Sequence, residues 1–393
     1  MTQAHAARRR AIVGRLEGMV GSSIPEHKLR VVRAPGRVNL IGEHTDYNLG
    51  FVLPVAISLE TWVASVPADD LGVELLSLEA GDRASFALRE PGPARGSWID
   101  YVAGVAWSLA EQGVTMRGLR GVIDSEIPLG SGLSSSAALE VAAAWTLADG
   151  TPPLRPMDLA RAAQRAENLY VGVQCGLMDQ FASTHGRAGH ALLLDCRSLE
   201  HRPVPLPAGH SLVAIDTRTP HRLGTSEYNA RREQCERGVA VIARRHPAVE
   251  SLRDVTPEML GTAADLLEEE TMRRCRHVVT ENQRVLAATD ALEAGDLNEV
   301  GRLLAESHAS LRDDYEVSSA ELDALVEIAS AVDGVIGARM TGAGFGGCTV
   351  NLVRDDAIDT LRVAVERDYS ARTGLQAGFY VVRAVDGAGE VVS

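Results

Sequence analysis

One stretch of this sequence joins tight-turn residues to the start of a helix: Ile127-Pro128-Leu129-Gly130-Ser131-Gly132-Leu133-Ser134-Ser135-Ser136-Ala137-Ala138. Its glycines reach backbone angles that other residues avoid, which predicts a loop. The alanine-rich run that follows, as far as Ala144, predicts a helix. A loop that leads into a helix directs unpaired backbone N–H groups and the positive end of the helix dipole at one point. Phosphate binds at such points, although a serine-capped buried helix would show the same pattern.

The serines of this loop add hydroxyl donors, and one of them can serve as an oxygen ligand for Mg²⁺. The loop lacks the lysine of a Walker A motif. If it binds a nucleotide, it therefore does so by another route.

The chain has 393 residues, of which 45% are hydrophobic and 23% charged, as in an ordinary soluble globular protein of about two domains. A net charge of −14 argues against nucleic-acid and anionic-membrane partners, because no basic surplus is available to neutralise phosphates. The five cysteines are widely spaced, which predicts reduced thiols in a cytoplasmic protein and no zinc site. The sequence has no apolar run as long as a signal peptide or a transmembrane helix requires, so neither is predicted.

Outward from the loop, the pattern mixes strands with helices and contains no internal repeat. Strands are predicted over 29–34, 119–127, 212–216, 349–353 and 378–385, with a strand pair within 63–88. Helices are predicted over 6–19, 98–109, 157–170, 226–245, 254–294, 298–310, 319–331 and 355–369. Prolines at alternate positions of 203–207 predict a stiff extended segment, and we place a domain boundary there.

Polar side chains cluster between two apolar runs in the segment Glu43-His44-Thr45-Asp46. Such a run suits a binding site, although a polar hairpin turn would look similar. Glu167 lies near the end of a predicted helix, where the dipole disfavours a carboxylate, so either a nearby cation or plain solvent exposure would account for it. Asp179 lies early in another helix, where it could simply be a dipole partner.

Three blocks of this sequence resemble the galactokinases, a branch of the GHMP small-molecule kinase family. The blocks are Pro35 to Asn48, with its Gly-Glu-His-Thr-Asp-Tyr-Asn segment, the loop Pro128 to Ala138, and the glycine-rich segment Thr341 to Gly347. Shorter segments extend the resemblance over nearly the whole chain. Ala343 departs from the family pattern, which has glycine there, and it would be strained if the position requires a positive φ.

The resemblance implies an α+β fold of two domains, residues 1–205 and 206–393, with mixed sheets, helices and an active site in the cleft between the domains. It implies an ATP-dependent enzyme that phosphorylates the anomeric hydroxyl of galactose. Asp179 and Arg37 would be catalytic, with Asp179 facing the attacking hydroxyl and Arg37 beside the γ-phosphate. The expected residues for the triphosphate are Gly130, Ser131, Gly132, Leu133, Ser134, Ser135 and Ser136.

The same resemblance assigns the sugar and the metal. Mg²⁺ would be bound by Ser136 and Glu167. The expected sugar-binding residues are Glu43, His44, Thr45, Asp46 and, from the second domain, Tyr228. Carboxylates suit a sugar because each can accept hydrogen bonds from two neighbouring hydroxyls.

The sequence leaves open two alternatives to a galactokinase. A related kinase for N-acetylgalactosamine or arabinose would need a different pocket wall near the 2-hydroxyl or the exocyclic carbon. A catalytically silent sensor of galactose and ATP is expected to lack the serines of the loop or the aspartate, and both are present here. The partners expected are therefore galactose and ATP, with no nucleic acid and no membrane, for a chain that is a monomer or a weak homo-oligomer.

Overall fold

Three β-sheets form the framework, and a computed structural model describes them over residues 3–148, 154–219 and 224–392. The strands within these ranges are β1 (Arg30–Asn39), β2 (Phe51–Val52), β3 (Pro54–Pro67), β4 (Gly72–Ser77), β5 (Asp82–Ala87), β6 (Leu119–Ser125), β7 (His190–Asp195), β8 (His201–Pro205), β9 (His210–Asp216), β10 (Val335–Thr341), β11 (Cys348–Arg354), β12 (Gly378–Val382) and β13 (Gly389–Glu390). They pair in the orders β13-β1-β3-β6-β4-β5, β10-β11-β9-β12 and β2-β7-β8.

Helices pack on these sheets, and none in the described ranges is long and apolar enough to cross a bilayer. They are α1 (Gln3–Val20), α2 (Ile99–Glu111), α3 (Ser135–Leu147), α4 (Pro156–Arg165), α5 (Met178–His185), α6 (Gly224–Ile242), α7 (Pro257–Thr262), α8 (Glu269–Ala294), α9 (Leu297–Asp313), α10 (Ala320–Ser330) and α11 (Ile358–Thr373). A π-helical turn, Ala166–Val171, follows α4 directly. The predicted helices are confirmed, apart from shifts at their ends and one break: the helix predicted over 254–294 is divided into α7 and α8, because residues 263–268 form a turn between them.

Strand β1 is longer than predicted, because Pro35 and Gly36 do not end it. The pairing with β3 contains an irregularity between Pro35 and Arg37, and such bulges tolerate proline. The backbone at Gly36 lies against the loop, where a Cβ atom would come within 2.6 Å of Leu133 O. The Arg37 N–H donates to that same carbonyl at 3.1 Å. Strand β1 therefore places Arg37 in direct contact with the loop.

The predicted transition from loop to helix is confirmed at the start of α3. Ser134 has the left-handed conformation, with φ of 63°, and the helix begins at Ser135. Small residues such as Ala142 and Ala144 on α3 are fully buried against Val105 and Ala106 of α2. The alanine-rich run thus lets two helices approach closely beneath the loop.

A continuous apolar core joins the two halves of the chain. Val38 of β1 and Leu40, just beyond its end, belong to the same buried cluster as Leu212 of β9 and Val285 of α8. The predicted boundary near residue 205 falls between β8 and β9, where the chain leaves one sheet for another. Strand β13 nevertheless returns to pair with β1. The boundary at residue 205 stays a prediction, and a cut there would pass through one continuous core.

Candidate active site

Arg37 and Asp179 meet in direct contact at the inner end of β1. The guanidinium donates from Nε to Asp179 Oδ1 at 2.8 Å and from Nη2 to Oδ2 at 2.7 Å. Its Nη1 donates to Gly132 O at 2.5 Å, which ties the pair to the loop. Ser134 Oγ donates to Asp179 Oδ2, also at 2.5 Å. The carboxylate is thus held by two donors from Arg37 and one from the residue that precedes α3.

The loop presents an uncapped helix end to this pair. No side chain caps the N-terminus of α3, and Gly130, Gly132 and Ser134 have φ values of 68°, 76° and 63°. Ser131 closes the preceding turn, because its Oγ donates to Pro128 O at 2.7 Å. Unpaired N–H groups at a helix start, with the helix dipole behind them, suit an anion. The loop therefore has the geometry expected of a phosphate site.

Glu167 is buried beside the first turn of α3, so it is not a solvated surface glutamate. It accepts hydrogen bonds from the hydroxyl of Ser136 and, at 2.6 Å, from Gln180 Nε2. Burial, with the nearby charge of Asp179, raises the pKa of the Glu167 carboxyl to about 7. The two predicted metal ligands are thus neighbours.

Sequence reasoning missed Glu140, a fully buried carboxyl on α3 beside this pair. Its Oε2 shares Gln180 Nε2 with Glu167, at 3.0 Å, while its Oε1 has no hydrogen-bond partner among the described residues. Burial and the charge of Glu167 raise the pKa of Glu140 well above its usual range. Three acidic groups, including Asp179, therefore converge here, an arrangement that a bound cation would stabilise.

A cavity of about 230 Å³ opens on the other side of Asp179. Most of the predicted catalytic and sugar-binding residues line it, together with residues that the sequence did not single out. The lining consists of Arg37, Glu43, His44, Asp46, Glu167, Val173, Cys175, Gly176, Met178, Asp179, Tyr228, Gly342 and Ala343. Its size suits a small metabolite better than a drug-sized ligand.

The two acidic side chains of the polar block differ in how many hydrogen-bond partners they already have. Glu43 accepts from Asn39, Thr341 and the Gly342 N–H, and it pairs with Arg339. Asp46 has no ion-pair partner among the described residues, and its carboxyl accepts hydrogen bonds from the backbone N–H groups of Tyr47 and of Asp46 itself. Burial, with the charge of Asp179, raises the pKa of Asp46 to about 6. Asp46 is therefore the carboxyl with acceptor capacity to spare inside the cavity.

His44 and Thr45 have roles that the sequence did not predict. His44 is buried and left-handed, and both ring nitrogens have partners: the Tyr47 hydroxyl at 2.9 Å and Ala343 O at 3.1 Å. Burial, then the neighbouring His277, lowers the pKa of His44 to about 3, so the ring is neutral. Thr45 Oγ1 lies 2.8 Å from Gly42 O and 2.6 Å from Phe51 O, outside the cavity wall. Its hydroxyl fastens the loop, which corrects the sugar contact expected for it.

Ala343 is accommodated without backbone strain. The left-handed residues of the glycine-rich segment are Gly342, Gly344, Phe345, Gly346 and Gly347, and Ala343 is not among them. The departure from the family pattern therefore leaves the loop geometry intact.

A second cavity, of about 250 Å³, adjoins the helix start of α3 and shares no lining residue with the first. Ser135 and Ser136 form one wall, and the rings of Trp98 and Tyr101 with the exposed Leu129 side chain form another. Flat aromatic and aliphatic surfaces next to a phosphate site suit a planar base. The sequence did not predict this cavity, because its walls come from separate elements.

Comparison with known proteins identifies the family. The galactokinase galactose-binding signature matches residues 19–67, the GHMP kinase N-terminal domain residues 100–187, and the GHMP kinase C-terminal domain residues 288–371. A galactokinase of Roseiflexus sp. (strain RS-1) is 47% identical over 367 residues, which cover 93% of this chain and 94% of that protein. A galactokinase of Chloroflexus aurantiacus is 48% identical over 347 residues, covering 88% of this chain and 89% of that protein.

The chain belongs to the galactokinase family. Galactokinases are ATP-dependent sugar kinases of the GHMP class, so the leading interpretation of the sequence is confirmed.

Solved structures agree with this assignment of the galactokinase fold. The crystal structure of Lactococcus lactis galactokinase complexed with galactose superimposes with a TM-score of 0.91 at 36% identity, covering 96% of this chain and 98% of that one. Methanococcus jannaschii mevalonate kinase superimposes with a TM-score of 0.66 at 16% identity, which demonstrates the shared fold alone. The predicted two-domain GHMP kinase fold, with α-helices and mixed sheets, is confirmed.

Proposed function

We propose that this galactokinase transfers the γ-phosphoryl group of ATP to the anomeric hydroxyl of α-D-galactose, giving α-D-galactose 1-phosphate and ADP. The observation that carries the proposal is the position of Asp179. Its carboxylate lines the first cavity and also accepts a hydrogen bond from Ser134, which precedes α3. A sugar in that cavity and a phosphate at the helix start would therefore meet at this side chain.

Asp46 is the proposed main acceptor for galactose hydroxyls, since its carboxyl is buried in the wall with acceptor capacity to spare. Glu43 would contribute an oxygen that is already held by protein donors, and Tyr228 would close the cavity from α6. The His44 ring would form part of the cavity wall in a fixed orientation, because both of its nitrogens already have hydrogen-bond partners in the protein.

Asp179 would orient the attacking hydroxyl through Oδ1. Each carboxylate oxygen accepts about two hydrogen bonds. Oδ2 already accepts from Arg37 and Ser134, while Arg37 Nε is the one donor to Oδ1 among the described residues. Oδ1 is thus the atom with room for the sugar hydroxyl. Phosphoryl transfer depends mainly on such positioning and on neutralisation of developing charge, which the Arg37 guanidinium would supply.

ATP would bind with its triphosphate at the uncapped start of α3 and its base in the second cavity. Ser135 and Ser136 border that cavity and also begin the helix, so the same residues would connect the two parts of the nucleotide. Backbone N–H groups would replace the lysine of other nucleotide-binding loops.

Mg²⁺ fits the residues next to the loop, and Glu167 and Ser136 would hold it. In the described ranges, no group of three or more His, Cys, Asp or Glu side chains is arranged to hold a metal ion. Mg²⁺ usually takes only one or two protein carboxylates and completes its shell with phosphate oxygens and water. The partnerless oxygen of Glu140 and the raised pKa of Glu167 both indicate surplus acidic character. When bound, the ion would neutralise charge on the phosphates.

The experiment that tests the proposal measures ADP release from ATP with galactose, N-acetylgalactosamine and arabinose as acceptors. We expect the highest kcat/KM with galactose, in the presence of Mg²⁺ and no other cofactor. A higher kcat/KM with N-acetylgalactosamine or arabinose would instead identify that sugar as the substrate. Galactose binding by calorimetry without ADP release would instead mean that the chain acts as a sensor.

Glu167→Gln should raise the Mg²⁺ concentration required for half-maximal activity, because the change removes a charged oxygen ligand and keeps the side-chain shape. Since Mg²⁺ relies on few protein ligands, we expect a rise on the order of tenfold or more, measured as ADP release against free Mg²⁺ at saturating galactose.

Glu111→Gln is the matched control, since Glu111 is exposed and contacts only Arg165 among the described ion pairs, at 3.8 Å. Its Mg²⁺ dependence should equal that of the unmodified protein. An unchanged Mg²⁺ requirement in Glu167→Gln would remove Glu167 from the metal site.

A further inference from the structure

Arg339 is a fully buried cation that contacts Glu43 in the wall of the sugar cavity, yet it does not line that cavity. It lies on β10 with none of its side chain exposed. Its Nη2 forms an ion pair with Glu43 Oε2 at 2.7 Å, and its Nη1 donates to the carbonyls of Asn39 and Leu40 at 3.2 and 3.3 Å. One guanidinium from the second half of the chain thus contacts three residues of the galactose-binding block.

Thr341, two residues further along β10, holds the other oxygen of the same carboxylate. Its Oγ1 lies 3.1 Å from Glu43 Oε1, and the N–H of Gly342 donates to that oxygen at 2.9 Å. Glu43 is therefore oriented from outside the cavity by a single strand and the turn that follows it. Asn39 Nδ2 donates to Oε2 at 2.7 Å and completes the set.

The charge of Arg339 is balanced by a second acid, Glu281 of α8. Glu281 Oε1 lies 4.0 Å from Arg339 Nη2 and accepts from the backbone N–H of Gly42 at 3.0 Å. Burial opposes ionisation of Glu281, but Arg284, His277 and Arg339 outweigh it and lower its pKa to about 2. Two carboxylates thus flank one guanidinium, and the acid on α8 also holds the loop next to Glu43.

We propose that Arg339 is a positioning residue for sugar recognition, which sets the affinity for galactose by fixing Glu43 in the cavity wall. A buried carboxylate without its cation would be free to change rotamer or to become protonated, and either change would alter the surface that faces the sugar. Lysine cannot replace the guanidinium, because a single ammonium cannot reach Glu43 and the two carbonyls in the geometry of the fork. The inference rests on the proposed role of the first cavity as the galactose site.

The test is a double-mutant cycle of Arg339→Lys and Glu43→Gln, read as the galactose Kd by calorimetry with the ATP KM and the melting temperature alongside. Because hydrogen bonds to charged groups are involved, we expect each single change to raise the galactose Kd by about ten- to a hundredfold. The ATP KM should stay within about twofold. The double variant should bind galactose only slightly less well than the weaker single variant, as expected for residues in contact.

Thr341→Val keeps the inference testable if Arg339→Lys does not fold, since it changes no charge. It removes the hydroxyl that lies 3.1 Å from Glu43 Oε1 and that also accepts from the Asn39 N–H at 2.9 Å. It should raise the galactose Kd in the same direction and by a smaller factor. Thr349→Val is its matched control: Thr349 is also fully buried, on the neighbouring strand β11, and its described hydroxyl partner is Asn351. That variant should keep the galactose Kd unchanged.

The outcomes separate this inference from the proposed function. If Glu43→Gln weakens galactose binding and Arg339→Lys lowers only the melting temperature, Arg339 is merely structural and the inference is overturned while the sugar site stands. Additive effects on the galactose Kd would also overturn it, because Arg339 would then act independently of Glu43. If Glu43→Gln leaves the galactose Kd unchanged, both the inference and the proposed role of Glu43 fail.

Discussion

Replacing Asp179 with asparagine should lower kcat by roughly 10²- to 10⁴-fold, the usual contribution of a side chain that acts on the proton of the reacting group. Galactose binding, measured by calorimetry, should survive, since asparagine keeps the shape of the side chain. The loss should appear in kcat because the carboxylate acts where charge develops during attack. Arg37 Nε and Nη2 donate to different oxygens of Asp179, so one of the two would lose its acceptor and face the amide NH2 group of the asparagine.

Arg37→Gln provides the partner for a double-mutant cycle with Asp179→Asn. The two side chains form a partly buried ion pair and also touch the loop through Gly132 and Ser134, so they should work as one unit. The double variant should be far less impaired than the product of the two single losses. Strictly multiplicative losses in kcat would contradict a shared catalytic role.

Replacing Gly176 with alanine should raise the galactose KM by about a hundredfold or more, although the substitution adds a single methyl group. A Cβ atom at this position would lie 2.0 Å from Asp46 Oδ2 and 2.2 Å from its Cγ. The carboxyl must therefore move by an ångström or more, and misplacements of that size can cost a hundredfold in rate. Asp46→Asn should act in the same direction, by about ten- to a hundredfold.

Gly261→Ala is the matched control for this effect. Gly261 lies in helix α7, and a Cβ atom there would meet nothing within 4 Å. Its kinetic constants should match those of the unmodified enzyme. If Gly176→Ala left the galactose KM unchanged while the melting temperature fell, Asp46 would not be the residue that the added methyl group displaces from the sugar.

The parts of the site that could be predicted are those whose residues lie in contiguous sequence motifs. The loop before α3 and the polar block could be found because turn residues, serines and acids stand next to one another in the sequence. The proximity of Arg37 and Asp179, which lie 142 positions apart, came only from the family resemblance. No local periodicity encodes a contact of that range.

The parts that could not be predicted depend on packing between distant segments. Glu140 stands inside an alanine-rich helical run, where nothing in the pattern distinguishes a buried acid from an exposed one. Strand β10 was missed because Gly334 and Gly337 interrupt its apolar pattern. Gly337 is needed there, since a Cβ atom would lie 2.7 Å from the Leu304 side chain. Pro35 and Gly36 had the opposite effect, because they predicted that the first strand ends at Ala34. Strand β1 continues past them, since an irregularity in its pairing with β3 accommodates both residues.

The return of β13 to β1 has a consequence for the order in which the protein can fold during synthesis. Strand β1 carries Arg37 near its end, and its outer edge pairs at Val32 and Arg33 with Glu390 and Gly389. On the ribosome that edge stays open while more than three hundred further residues are made. An open edge can pair with other chains, so nascent molecules are exposed to misassembly for most of their synthesis.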